Sequence, residues 1–171
     1  MKKKTPKSFL ESYAEEAGLL KHGKKIMRHL VFLAGSIEND PEYRAKFDLA
    51  EIILKSRGHI VINPLKIPKS GTRTDFIAAD LYILTELGVY DEIRRKFSLI
   101  LPPDTFPSPV VCILDNYGGC SDRVIEVVFA ETRGVPHFYI DALLSPEQAE
   151  RYRREVSKIA QMESDGAKWI S

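Results

Sequence analysis

Only two cysteines, Cys112 and Cys120, occur in 171 residues, and neither stands at zinc-finger spacing from a second Cys or a His. A disulfide framework is excluded, and both read as reduced thiols of a cytoplasmic protein. The four histidines, His22, His29, His59 and His137, are scattered, so no metal site is expected. No apolar run approaches the roughly 20 residues that a membrane span needs, and the basic N-terminus lacks the continuous apolar stretch of a secretory signal. Charge of one sign is also missing. The 25 Lys and Arg face 24 Asp and Glu, a formal charge of +1. That argues against a nucleic-acid binder, whose phosphate contacts require a basic excess. Internal repeats and low-complexity segments are absent.

What is present is the material of one ordinary domain. With 44% hydrophobic residues, a chain of this length buries about 70% of the surface it exposes when unfolded, without a covalent or metal staple. The near-neutral charge hides an asymmetry. Residues 1–28 carry eight Lys or Arg against three Glu, which leaves the rest of the chain net acidic. Residues 1–28 are accordingly expected to be a basic tail and helix, with an amphipathic stretch over 8–27 through Phe9, Tyr13, Ala17 and Leu20. Residues 29–144 are expected to form an α/β domain, and residues 145–171 a C-terminal helix packed on it.

Short apolar runs alternate with longer segments of helical period. Leu30 to Ala34 reads as a buried strand, and Gly35-Ser36 ends it. Asp40-Pro41 is an N-cap and first-turn pair, and Tyr43, Phe47, Ala50 and Leu54 share a helical face that Gly58 terminates. His59 to Ile62 is a second strand, closed by Asn63-Pro64, and a helix is expected from about Asp75 to Leu87. Ser98 to Leu101 is a candidate short strand, and Val110 to Leu114 a stronger one. A helix follows from about Asp122 to Arg133, then a strand from Val135 to Ile140, and Ser145-Pro146-Glu147 caps the last helix. This order predicts a single doubly wound, flavodoxin- or Rossmann-like parallel sheet of about five strands, with helices on both faces. Ligands of such sheets bind beyond the carboxyl ends of the strands. That directs attention to Gly35, Ser36 and Ile37, to Asn63, and to the loop from Asp115 to Asp122.

Two acids break the apolar pattern. Phe76, Asp80, Ile83 and Leu87 fall on one helical face, and Asp80 interrupts it. It either works in a site or lies at the margin of that face, capping a loop or pairing with Arg73. Glu126 is the only ionisable group within Val124 to Ala130. It is either an outward, solvated side chain or a buried carboxylate, and a buried carboxylate is paired, protonated or functional. With the helix starting near Asp122, Glu126 lies close to the first turn, where the macrodipole favours the ionised, nucleophilic form. Backbone N–H groups at Gly118 and Gly119 can serve a hydroxyl or phosphate. Asp115 is either a ligand contact or a turn former, and Cys120 reads as a packing residue before a nucleophile.

These segments together, Val31-Phe32-Leu33-Ala34-Gly35-Ser36-Ile37, Gly58-His59-Ile60-Val61-Ile62-Asn63-Pro64, Asp80 on a helix, and Glu126 with Ala130 four residues on, resemble the nucleoside 2-deoxyribosyltransferase family. That superfamily includes 2'-deoxynucleoside 5'-phosphate N-hydrolases. The resemblance covers about residues 30–141. It implies that Glu126 is the nucleophile on the anomeric carbon and that Asp80 positions the sugar or handles the proton of the leaving base. It further implies that Gly35, Ser36 and Ile37 line the sugar or 5'-phosphate subsite, with Phe32 where relatives often carry a tyrosine.

The implied activity is cleavage of the N-glycosidic bond of a nucleoside or nucleoside 5'-monophosphate, with transfer to another base or to water. It needs no cofactor and no macromolecular partner beyond further copies of the chain, since a homo-oligomer is implied. The Pro-rich loop with Phe106 and the terminal segment with Trp169 are the candidate contacts. Residues 88–108, extra relative to the family, are a candidate lid or subunit contact. Phosphate recognition, if present, falls to backbone groups and to cations such as Lys69 or Arg73. Two other readings remain open: a cytokinin-activating-type phosphoribohydrolase, echoed by Gly118-Gly119 and Glu126, and a non-catalytic nucleotide-binding domain.

Overall fold

The computed structural model describes residues 8–20, 28–35, 37, 40–67, 71–101, 105–114 and 121–166, without the side chains of residues 73, 74, 76 and 121–125. Within these residues four strands form one sheet: β1 (His29–Ala34), β2 (Ile60–Ile62), β3 (Ser108–Ile113) and β4 (His137–Tyr139). Their order is β2-β1-β3-β4 and every pairing is parallel. The predicted class is therefore observed, with four strands in place of about five. The missing one is Ser98 to Leu101, which is a turn. Its apolar side chains face solvent, so no neighbouring strand covers them.

Period-two alternation along β1 divides the core into two layers. Val31 and Leu33, with Val110 and Cys112 of β3, point to one face. There they meet α1 (Phe9–Glu16), α2 (Tyr43–Ser56) and α6 (Pro146–Ser164). Phe32 and Ala34, with Val111, point to the other face. That face is covered by α3 (Arg73–Phe97) and α4 (Ser121–Thr132). A four-residue helix, α5 (Ile140–Leu143), follows β4 directly.

The caps show why these elements begin and end where they do. Ser8 and Ser145 accept hydrogen bonds from the backbone N–H groups of Glu11 and Gln148, so each satisfies an orphan donor at its helix start. Asp40 is not the expected N-cap, because the helix starts two residues after Pro41. Its carboxylate accepts from the Glu42 N–H and pairs with Lys46 at 2.6 Å, so Pro41 and Glu42 form a turn and the helix starts at Tyr43. At the far end of α2, Gly58 takes a φ of 92°, a left-handed conformation that a side chain would strain. In α1 the helix stops at Glu16 rather than running on. Gly18 turns left-handed, and Arg151 donates from beneath to the carbonyls of Ala17 and Gly18.

The largest difference from expectation is α3. It runs ten residues past Leu87, to Phe97. Gly88 does not end it, because the missing Cβ makes room for α4: a methyl there would stand 3.0 Å from the Cβ of Arg133. Beyond it, Asp91 is ion-paired to Arg94 and Arg95 at 2.8 and 2.7 Å, the i+3 and i+4 spacings that stabilise helical turns. Residues 89–97 are therefore the final turns of a long helix. The helix ends at the amino edge of the sheet, since α3 runs antiparallel to the strands it connects.

Candidate functional site

Strand order reverses between β1 and β3, and the chain leaves these two neighbours in opposite directions. β1 exits to α2 on one face and β3 exits to α4 on the other, the arrangement beyond whose carboxyl ends ligands of such sheets bind. The two ends are level. Ala34 pairs with Ile113, and the Leu114 N–H donates to the Ala34 carbonyl at 2.9 Å. Gly35 and Leu114, the described residues that follow β1 and β3, thus lie at the same end of neighbouring strands.

Both pattern-breaking acids are buried, Asp80 at 5% and Glu126 at 6% exposure. On α3, Asp80 lies one turn before Leu84, which packs in the layer built on Phe32 and Ala34. On α4, Glu126 lies one turn before Ala130 of the same layer. Helical geometry sets each carboxylate one turn, about 5 Å, from that apolar layer toward the helix N-terminus. For both helices this is the carboxyl edge of the sheet, so the acids share one face and one end.

The solvated alternative for Glu126 is thereby corrected. Its Oε2 atom is shielded from solvent, while the apolar Val128 two residues on is more than half exposed. The expected position on the helix also shifts. Because α4 starts at Ser121, Glu126 belongs to the second turn, where the macrodipole has largely faded. Any bias toward its ionised form must come from neighbouring groups.

The remaining candidates separate. Gly35 is buried at the carboxyl end of β1 and Ile37 is exposed two residues on. Phe32 is fully buried in the apolar layer beneath the two acids, where it acts as packing. Asn63 ends β2 but turns toward α2, on the opposite face. Its carboxamide oxygen accepts from the Leu65 N–H, and its nitrogen donates to Asp48 at 3.3 Å and to Glu51 at 3.2 Å. Every polar atom of that side chain has an internal task, so Asn63 pins the end of β2 to α2 and is not available to a substrate. Ser36, Asp115, Gly118 and Gly119 lie outside the described residues, as do Cys120 and Lys69. Asp122 and Arg73 are described in their backbones only, each inside the first turn of its helix.

Sequence reasoning passed over the polar cluster around Asn63. Glu51 is buried and bonded to Lys66 at 2.6 Å and to Lys55 at 3.0 Å. Burial pushes its carboxyl up, but hydrogen bonds from Lys66, Lys55 and Asn63 outweigh this and hold it below the usual carboxylate range. Asp48 goes the other way, because burial raises it more than Lys66 lowers it. The only sequence trace of this cluster is acid-base spacing along α2, which looks the same as an ordinary surface pair. At the amino edge, His59 accepts a hydrogen bond from the His29 N–H at 3.0 Å, and burial pushes its ring down to about 4.

Among the described residues no group of three or more His, Cys, Asp or Glu is placed to hold a metal ion, and no helix is long and apolar enough to cross a membrane. The chain matches no protein-family model, no curated protein and no solved structure.

Proposed function

We propose that the protein cleaves the N-glycosidic bond of a nucleoside or nucleoside 5'-monophosphate beyond the carboxyl ends of β1 and β3. The observation that carries this reading is the pair of buried carboxylates, Asp80 and Glu126, on one face at the carboxyl edge beside the reversal of strand order. Breaking a C1'–N bond generates positive charge on the sugar, and one carboxylate can stabilise or trap that charge while a second group manages the proton.

In the proposed reaction a Glu126 oxygen bonds to C1' as the C1'–N bond breaks. The base leaves with the bonding electron pair and receives a proton from the Asp80 carboxyl. Water, or a second base, then attacks C1', Glu126 leaves as the carboxylate, and the proton of the attacking group returns to Asp80. Water as the acceptor gives hydrolysis and a base gives transfer. Both steps use only carboxylate chemistry, so the reaction requires no cofactor. The acidic balance of the body makes an unphosphorylated nucleoside at least as good a fit as a nucleotide.

The test is a panel of deoxy- and ribonucleosides and their 5'-monophosphates, each with and without an acceptor base, followed by chromatography of the released or exchanged base. The expected result is turnover of one sugar class, abolished by Glu126→Gln and reduced at least about 100-fold by Asp80→Asn. No release or exchange across the panel, or activity unaffected by Glu126→Gln, overturns the reading. One observation favours a second reading, a nucleotide-binding domain without turnover: Phe32, where the resembled family often has a tyrosine, is buried in the core and carries no hydroxyl. Tight binding measured by calorimetry, without base release, would select it.

A further inference from the structure

We propose that the projecting end of α3, with the turn after it, docks on the surface of an anionic phospholipid bilayer. Gly88 of α3 meets Arg133 just past the end of α4, so residues 89–97 carry the helix roughly 13 Å beyond that neighbour at the amino edge of the sheet. The N–H groups of Ile100 and Leu101 both donate to the Phe97 carbonyl, which folds residues 98–101 back against the last turn. Leu99 and Ile100 crown this projection at 89% and 77% exposure, the highest among the large apolar side chains described. Phe97, Leu101 and Phe106 stand around them, each more than a third exposed. The Phe106 ring lies 6.2 Å from that of Phe97, and the Tyr90 hydroxyl donates to the Pro107 carbonyl at 2.7 Å, so the returning chain is fixed to the helix.

Shape and charge both argue for lipid as the occupant. Side chains that crown a projection, rather than line a recess, are covered on every side by a partner that flows around them, as acyl chains do. Such docking needs no spanning helix, only an apolar surface at the acyl boundary and cations at the headgroups. Arg94, Arg95 and Lys96 follow one another at 100° steps and so ring the last turn. Arg133 follows α4 on the same side, where a Cβ on Gly134 would stand 4.0 Å from the Arg95 guanidinium. Arg28 enters β1 at the same edge, within electrostatic reach of Tyr90. Against these five cations stand Asp91, paired to Arg94 and Arg95, Glu92, and Glu131, which lies 2.9 Å from His137. In the sequence the loop returning to β3 adds one acid, Asp104, while residues 21–27, which lead into Arg28, add three Lys and no acid. The net positive sign at this edge contrasts with the net acidic remainder of the chain and matches anionic headgroups. Phe97 lies about 25 Å along α3 from Asp80, so a docked molecule keeps its buried carboxylates at the end away from the bilayer.

Flotation of the full chain with vesicles of phosphatidylcholine, alone or with about 30 mol% phosphatidylserine, tests the proposal. The expected result is binding to the anionic vesicles, at least about 10-fold weaker to phosphatidylcholine alone and weakened by salt. The uncharged double variant Leu99→Asn, Ile100→Asn should bind the anionic vesicles at least about 10-fold more weakly, and Lys96→Gln about five-fold more weakly, both with unchanged circular dichroism. As an independent readout, Leu99→Trp should shift its emission to shorter wavelength with anionic vesicles. No binding to anionic vesicles, binding undiminished by the double substitution, or an unshifted Leu99→Trp emission overturns the proposal. So does a dimer in sedimentation velocity that the same double substitution dissolves, since it assigns this surface to a second copy. None of these readouts depends on nucleoside cleavage.

Discussion

Replacing His59 by asparagine should flatten the pH dependence of stability between pH 4 and 6.5. The His59 Nδ1 accepts from the His29 backbone N–H, so the ring must be neutral, with its proton on Nε2. Burial, the His29 ring stacked 5.5 Å away and the Arg57 guanidinium together lower its pKa from 6.5 to about 4. Between these two values the unfolded chain binds a proton that the folded chain refuses. Stability therefore rises with pH across the window, is complete above about 6.5, and is lost as pH falls toward 4. At pH 4.5 the linkage amounts to an upper limit of about 2.5 kcal/mol.

Asparagine keeps an acceptor at nearly the Nδ1 position but does not titrate. Asp48, whose raised pKa acts in the opposite direction, and Glu51 and Glu155, whose lowered pKa values act only at and below the acid end of the window, contribute equally to both proteins. They cancel in the difference. Urea unfolding at pH 7.5 and 4.5 is the assay. With a slope of about 2 kcal/mol/M, the native chain should lose about 1 M more in midpoint than His59→Asn over that interval. Parallel pH profiles for the two proteins would refute the assignment of a buried, neutral His59.

Three further outcomes follow from packing and hydrogen bonding. Gly88→Val should destabilise by about 2 kcal/mol in urea unfolding, because the Cβ alone would meet Arg133 at 3.0 Å and the branched side chain cannot withdraw from the helix contact. Asn63→Leu should cost about 2–3 kcal/mol by the same assay, since it removes the shared donor between Asp48 and Glu51 and leaves the Leu65 N–H without its acceptor. Tyr13→Phe should cost about 1 kcal/mol, reflecting loss of the 2.6 Å hydrogen bond to Glu155 that joins α1 to α6, with little change in the fold by circular dichroism.

Strand and helix order are legible in this sequence because apolar periodicity directly reflects which faces are covered. Val31, Phe32, Leu33 and Ala34 are all buried, as a central parallel strand requires, and Ser145-Pro146 starts the last helix where its chemistry says it should. The length of α3 is not legible. Gly88 in isolation is a helix breaker, and only the proximity of Arg133 shows it to be a notch for a neighbouring helix. Strand propensity also misleads at Ser98 to Leu101, where apolar residues sit in a turn exposed by this chain.

The candidate site divides in the same way. Asp80 and Glu126 stand out because each interrupts an apolar face, and both prove buried. Asn63 is read from its place after a strand, yet three-dimensional partners on α2 occupy it, and no local pattern announces them. Val128 and Glu126 have exchanged the burial that their polarity implies, which only the packing of α4 on α3 and the sheet can reveal.

The most direct test of the central claim is to look for the sugar on Glu126. A nucleoside bearing fluorine at C2' should slow the second step by destabilising the cationic transition state, so that a covalent intermediate accumulates. Intact-mass spectrometry should then show the protein heavier by one fluorosugar, peptide mapping should place it on Glu126, and Glu126→Gln should abolish it. Base release without an adduct and insensitive to Glu126→Gln, or a sugar attached to another residue, would contradict the account.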